Sequence, residues 1–310
     1  MKIWLGNKLP ERTQGSAVTI GNFDGVHLGH RHILQRLKTE AKARQLLSVA
    51  MIFEPQPREF FATKSAQPSP FRLSPLRDKL RLLKQTQCVD AVWVQRFNHA
   101  FASLSPTQFI QDILLTQLNT QFLLVGDDFR FGKQRNGDFA LLQQQNEFVT
   151  ENTPSILVAG ARASSTAVRE SLAAGRLDLA TQMLGHHYTL SGHVKHGAKL
   201  GRTFGCPTAN VHLPHYHYAL SGVFAVEVSG SFGRKRGVAS LGLNPTVSQT
   251  LQTKLEVHLF DFSGSLYGQR IEVSFLHKLR DEQKFANLDE LKQAIMHDIN
   301  VARMWHTNEA

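Results

Sequence analysis

Cysteine is nearly missing from this sequence: Cys88 and Cys206 are the two in 310 residues, and no CxxC or Cys/His cluster at zinc spacing surrounds either. That excludes a disulfide-stapled scaffold and a thiolate zinc centre, and leaves both thiols reduced, as small buried hydrophobes. Long apolar runs are missing too. No stretch reaches membrane-spanning length, and the opening MKIWLGNKLPERT lacks a signal-peptide core, so a cytoplasmic chain with no membrane partner is expected. The net charge of +10 would suit nucleic acid, but the basic residues are scattered and no long Lys/Arg run concentrates them. A site for ATP or another polyanion accounts for the charge equally well, so no nucleic-acid partner is expected, and a monomer is the default. A chain of 310 residues exceeds the usual reach of one core, which points to two domains.

The most informative stretch is Thr19 to His30, TIGNFDGVHLGH. Ala17, Val18 and Ile20 read as a buried strand, and Gly21, Gly25 and Gly29 permit a tight turn and close approach of a ligand to the backbone. A helix follows, because His30, Ile33, Leu34, Leu37 and Ala41 recur at three- and four-residue spacing. His27 and His30 then stand at the helix N-terminus, where free N–H groups and the dipole favour phosphate. Taken alone, HxxH fits a surface or metal-binding pair as well.

Through the first half, short strand-like runs alternate with helical patterns: Ser48 to Phe53, Ala91 to Phe97, Phe122 to Gly126 and Ser155 to Gly160. Leu76, Leu80 and Leu83 mark one helix; Phe109, Ile113 and Leu114 mark another, with Ser105 as cap and Pro106 in its first position. Alternation of this kind predicts an α/β doubly wound, mostly parallel sheet that binds ligands beyond the carboxyl ends of its strands. Ser164, Ser165 and Thr166 precede a helix over Ala167 to Ala174 ended by Gly175. They read as ordinary caps and also, with Arg169 one turn in, as a phosphate cradle.

Helical alternation stops after Leu184, which places a boundary near residue 185. The second half has SGHVKHGAKLGRTFGCPTANV, Ser191 to Val211. Gly197, Gly201 and Gly205 loosen a loop, Arg202 can meet phosphate, and Pro207-Thr208-Ala209-Asn210 offers a hydroxyl and an amide oxygen on one side of an extended segment. Those are hard ligands of the kind magnesium takes, so Thr208 and Asn210 are the candidate metal ligands. Strand-like runs at Gly222–Val228, Gly237–Leu243, Leu255–Phe262 and Ile271–Leu279 predict a small antiparallel β-barrel. Asn287 and Glu290 form a capping-box-like start for a closing helix carrying Leu288, Leu291, Ile295, Ile299 and Ala302 on one face. Glu256 alternates with Leu255 and Val257 and shares a face with Lys254 and His258, which fits an ordinary exposed strand carboxylate or a polar pocket there.

GNFDGVHLGH and Ser164–Arg169 (SSTxxR) resemble the signature of the HxGH nucleotidylyltransferase superfamily in its bacterial FAD synthetase form, and the PTAN string resembles riboflavin kinase. In order along nearly the whole chain, these motifs resemble the bacterial bifunctional riboflavin kinase/FMN adenylyltransferase family. The resemblance implies an FMN adenylyltransferase domain over residues 1–184 and a riboflavin kinase domain over residues 185–310. Riboflavin and ATP would give FMN and ADP; FMN and ATP would give FAD and diphosphate, with Mg2+ in both steps. It further implies that His27 and His30 act on nucleotide phosphates, with Gly21, Asn22, Phe23, Asp24, Gly25 and Gly29 around them. Phe53, Pro55 and Pro57 would lie by the flavin, with Phe60 and Phe61 as apolar contacts. Asp128 and Phe129 of GDDFRFG would line the nucleotide and flavin pocket, Asp127 being structural instead. Glu256 would take the proton of the riboflavin 5′-hydroxyl, and Arg280 to Phe285 would form the flavin-side loop.

The sequence departs from the family pattern in three places: Ser240 stands for an asparagine, Asn244 for an arginine, and Cys206 for a common phenylalanine. The alternatives are another HxGH transferase with a binding barrel, disfavoured by PTAN and Glu256, and a non-catalytic flavin or nucleotide sensor, disfavoured by the intact pairs His27/His30 and Ser165/Arg169.

Overall fold

The computed structural model describes residues 1–7, 9, 14–65, 71–158, 160–197, 205–245 and 251–308, and gives only the backbone at 64–65, 243–245 and 251–252. The chain divides into two compact units, Met1–Pro70 with Lys79–Ser164, and Phe71–Asp78 with Ser165–Ala310. Gly201 and Arg202, and the side chain of Asn244, lie outside the described residues.

The first unit is built on β1 (Lys2–Leu5), β2 (Ser16–Ile20), β3 (Leu47–Glu54), β4 (Ala91–Arg96), β5 (Thr120–Gly126) and β6 (Val149–Thr153). They form one parallel sheet in the order β1-β4-β3-β2-β5-β6. From β2 the chain winds through β3 to β4 on one side, then returns to the other side for β5 and β6. The strand order therefore reverses beside β2, and a crevice opens at the carboxyl end of such a switch point. The turn that leaves Ile20 stands there.

Strand β2 is buried throughout, as the apolar run predicts. Helix α1 (Leu28–Ala43) buries Leu34, Leu37 and Ala41. The helix expected after Ser105 is capped by a reciprocal box: Gln108 N donates to Ser105 Oγ at 3.1 Å, and Ser105 N donates to Gln108 Oε1 at 2.9 Å. Beyond Gln108 it widens to a π-helix over Phe109–Gln117, which keeps Phe109, Ile110, Ile113 and Leu114 buried.

One expected sheet strand is corrected. Leu157–Val158 of SILVAG pairs antiparallel with Ala161–Arg162 in a separate ribbon (β7 and β8), and Leu157 is exposed. Its place in the sheet goes to β6, VTENT, whose polar composition suits an edge that one neighbour covers.

In the second unit, helices Ser165–Ala173 and Leu177–Leu184 precede the barrel, and the latter ends at Gly185 in a left-handed cap with φ 71°. Strands β9 (Thr189–Lys195), β10 (Ala209–His212), β11 (Gly222–Gly230), β12 (Gly233–Pro245), β13 (Leu251–Leu259) and β14 (Arg270–Arg280) close in the order β10-β13-β12-β11-β14-β9, every pair antiparallel. The segment Phe71–Asp78 packs into this unit: Arg72 N donates to His217 O at 2.7 Å, and the Arg72 guanidinium lies 3.9 Å over the Tyr216 ring. Buried Asp78 accepts from Ser191 N at 3.0 Å and from Ser191 Oγ, which also accepts from Arg270 at 2.7 Å. The closing helix Leu288–Asn308 starts where Asn287 Oδ1 accepts from Glu290 N at 2.9 Å. It buries Ile299 and Ala302 against Val223, Ala225 and Val238. Leu288, expected on the same face, is exposed, because it sits at the first position before the helix meets the barrel.

Candidate active sites

In the first unit the turn after β2 forces the backbone into left-handed conformations at Phe23 (φ 46°), Gly25 (φ 80°) and Val26 (φ 44°). For the β-branched Val26 this is a strained state, of a kind that surrounding structure must hold and that clusters at functional sites. Burial supplies the hold: Phe23, Asp24, Val26 and His27 are all buried. His27 caps α1, its Nδ1 accepting a long hydrogen bond from His30 N at 3.4 Å. In neutral His27 that bond leaves the proton on Nε2. The two imidazoles stack with centroids 3.6 Å apart, and Phe23 backs the His30 ring at 4.9 Å. Among the described residues, Asn22 Oδ1 is buried with no hydrogen-bond partner, a carbonyl left for something else to meet. Gly29 is needed for packing: a Cβ there would stand 3.0 Å from the Ala163 carbonyl oxygen and 3.2 Å from the His27 ring.

The neighbouring motifs in this unit are placed as follows. β3 ends in a cis Glu54–Pro55 bond, and Pro57 opens the helix Pro57–Ser65. Phe53 meets Phe97 and Phe101 at 5.7 and 5.6 Å; Phe60 and Phe61 add to the same aromatic cluster, with Phe61 half exposed. Asp127 accepts from Ser155 Oγ at 3.0 Å and Arg162 at 3.1 Å, whereas Asp128 is mostly exposed, 3.5 Å from the same guanidinium. Phe129 stacks on buried Phe131 at 5.8 Å. Ser164 belongs to this unit, while Ser165, Thr166 and Arg169 open a helix that clusters with the second.

The second unit builds its site by register. Directly opposed residues on adjacent strands share a face, and one row steps across the six strands, Lys195, Asn210, Glu256, Ser240, Val223 and Arg280, with its two ends staggered where β14 meets β9. Glu256, Ser240, Val223 and Arg280 line a cavity of about 380 Å³ between barrel wall and closing helix, together with Thr208, Lys254, His258 and Phe285. Glu256 pairs with Lys254 at 3.0 Å, and His258 Nδ1 bonds the carbonyl oxygen of Pro207 at 2.9 Å. Arg280 is clamped by Asp298 of the closing helix in a bidentate pair of 2.9 and 2.7 Å, and stands 5.7 Å over the Phe285 ring. The amide of Asn210 fills the space beside Gly197, where a Cβ would run into it. Cys206 is buried against Met296 at 3.4 Å, and burial pushes its thiol up, so it is a packing residue.

A family model described as FAD synthetase matches residues 9–167, and one described as riboflavin kinase matches residues 184–306. The bifunctional riboflavin kinase/FMN adenylyltransferase of Escherichia coli K12 is 50% identical over 295 residues, 94% of this chain and 92% of that protein. The chain belongs to the bifunctional riboflavin kinase/FMN adenylyltransferase family. Its Haemophilus influenzae relative of the same name is 46% identical over 294 residues, 94% of both proteins. A crystal structure described as a macrolide-efflux protein from Streptococcus pneumoniae shares the fold over 94% of this chain and 95% of that one, with a TM-score of 0.79 and 28% identity. Among the described residues, no helix is long and apolar enough to cross a membrane.

Against that family background, two residues of the sites escaped the motif reading. Asp298 interrupts the apolar spacing Leu291, Ile295, Ile299, Ala302 of the closing helix, and an acid on a buried face is the signal that marks it. Arg162, which holds Asp127, follows the glycine of a short exposed ribbon and carries no comparable signal.

Proposed function

We propose that this chain carries out both reactions of its family: it phosphorylates riboflavin to FMN in residues 185–310, and adenylylates FMN to FAD in residues 1–184. The observation that carries the kinase assignment is that Glu256 and Ser240 share one cavity wall with Thr208, Glu256 being paired in register with Asn210 on the neighbouring strand. There the Glu256 carboxylate accepts the 5′-hydroxyl proton of riboflavin as that oxygen attacks the γ-phosphorus of ATP, and ADP leaves. Arg280 and Phe285 bound the flavin side. Thr208 and Asn210 supply hydroxyl and amide oxygens, a donor set that fits Mg2+; when bound, the metal neutralises charge on the phosphates.

In the adenylyltransferase half, His27 and His30, with the N-terminus of α1, hold the ATP phosphates while an FMN phosphate oxygen attacks the α-phosphorus and diphosphate leaves. The role is one of position and charge, with no covalent intermediate. Gly21, Asn22, Asp24, Gly25 and Gly29 shape that turn; Ser164 adds a phosphate donor; Phe53, Pro55, Pro57, Asp128 and Phe129 border the flavin and adenine. Gly197 and Pro207 flank the ATP side of the kinase, and Gly201 and Arg202 are assigned to ATP binding from their motif alone. We place the work in the cytoplasm, where ATP and riboflavin meet.

The deciding experiment incubates the full chain with riboflavin, ATP and Mg2+ and follows the flavins by chromatography. FMN and then FAD should accumulate in that order. Riboflavin left unchanged by a folded preparation would overturn the reading.

A further inference from the structure

We propose that Lys254 is a positioning residue of the kinase site, supplying the counter-charge that lets the Glu256 carboxylate and the ATP phosphates occupy one cavity. The inference rests on the assignment of Glu256 as proton acceptor. Lys254 and Glu256 are two residues apart on β13, so their side chains leave the same face of the strand. Lys254 Nζ stands 3.0 Å from Glu256 Oε1, and both line the cavity. Across the ladder Lys254 faces Gly242, where a Cβ would run into the carboxylate of Glu282, so a second acid lies along this wall. Arg280, also in the wall, is fixed on Asp298.

The partner of Lys254 is thus the reacting acid itself. A carboxylate in a cavity that admits a triphosphate meets like charge, which opposes the approach of the nucleotide. An ammonium in contact with the acid offsets that repulsion without leaving the wall. Stability does not explain the pair, since its side chains are 41% and 33% exposed and such pairs contribute little to folding.

The test is steady-state kinase kinetics on the full chain, comparing the native protein with Lys254→Met, Lys254→Arg, Glu256→Gln and the double variant Lys254→Met/Glu256→Gln. Lys254→Met should lower kcat about tenfold and raise KM for ATP, with KM for riboflavin changed less than about twofold, the coupling expected of contacting charges. Lys254→Arg should restore kcat to within about threefold, because the charge and the reach are kept. In the Glu256→Gln background the side chain that Lys254 contacts carries no charge, so Lys254→Met should cost less than about a further twofold. Unfolding midpoints recorded alongside establish that each variant is folded. A native-like kcat for Lys254→Met, with Glu256→Gln disabled, overturns the inference and leaves the kinase assignment standing. The same tenfold loss in both backgrounds also overturns it, since Lys254 would then act on phosphate directly. A native-like Glu256→Gln removes the assignment of Glu256 as well.

Discussion

In the first unit the two imidazoles and the turn that carries them come from one short stretch, Gly21 to His30, which a strained turn and a helix start bring together. In the second unit Asn210, Glu256, Ser240 and Arg280 come from four different strands, brought into one row by the pairing register. The first kind of site is local and depends on backbone amides and buried turn residues. The second is non-local: each member is one side chain on a shared rung, and moving any strand by one residue would turn its member to the other face. Damage should therefore spread differently in the two. A side-chain change in the barrel row removes one function from an intact frame, whereas the turn of the first unit tolerates little change of any kind.

The largest expected effect separates the two sites outright. Replacing His27 and His30 together by alanine should abolish FAD formation while FMN formation persists, because both imidazoles belong to the first unit alone. Equal loss of both activities in a folded variant would mean that the two sites are not separate.

Next comes Glu256→Gln, which keeps the size and hydrogen-bonding shape of the side chain and removes its basicity. Kinase turnover should fall by on the order of 10²- to 10⁴-fold, the range for a positioned proton acceptor. Added FMN should still be converted to FAD at close to the native rate. A kinase rate within a few-fold of native would take Glu256 off the catalytic list.

The difference between local and non-local sites also explains what the sequence made legible. Gly21, Gly25, His27 and His30 are neighbours in the chain, so their spacing already encodes the turn and the cap. The alternation of Leu255, Glu256 and Val257 gave the face of β13, but not that Ser240 and Asn210 flank Glu256, since register depends on the whole closed barrel. Asp298 was hidden in an apolar pattern for the same reason: its partner Arg280 lies on a different element. SILVAG was apolar enough to pass for a sheet strand, while the real edge strand, VTENT, was polar because only one neighbour covers it.

A smaller effect tests how self-sufficient the barrel is. Residues 186–310 hold Thr208, Asn210, Glu256 and Arg280, so the fragment should phosphorylate riboflavin. It lacks Asp78, which accepts from Ser191, and the helix Leu177–Leu184, which packs on β14 and buries Leu177, Ala180, Met183 and Leu184. Losing these should cost roughly 3 kcal/mol, or about 10–20 °C in unfolding midpoint, relative to a fragment starting at residue 165 plus the missing segment in trans. Equal midpoints would show that the barrel needs neither addition.

The smallest expected effect concerns acid, and it too is confined to the barrel unit. His306 is buried on the closing helix, between Trp305 at 5.1 Å and Phe260 at 6.0 Å, with Nε2 facing the Gly237 carbonyl oxygen at 3.3 Å. Burial pushes its pKa down; the Arg236 charge pushes the same way, while the Gly237 and Val226 carbonyls and Glu227 push upward. With the folded value below the unfolded one of about 6.5, the unfolded chain takes the proton first. His306 therefore costs no stability at neutral pH and removes it as pH falls below about 6.5 toward the depressed folded value. His306→Gln keeps an N–H for Gly237 and cannot take up the proton. At pH 7.5 its barrel should unfold within about 1 kcal/mol of native, the usual range for a change that preserves the hydrogen bond. Between pH 7.5 and 5.5 its midpoint should fall less than that of the native protein, by about 3 °C. Parallel pH profiles for the two proteins would mean that other groups set the acid limit of the barrel, and that its closing helix is indifferent to the charge of His306.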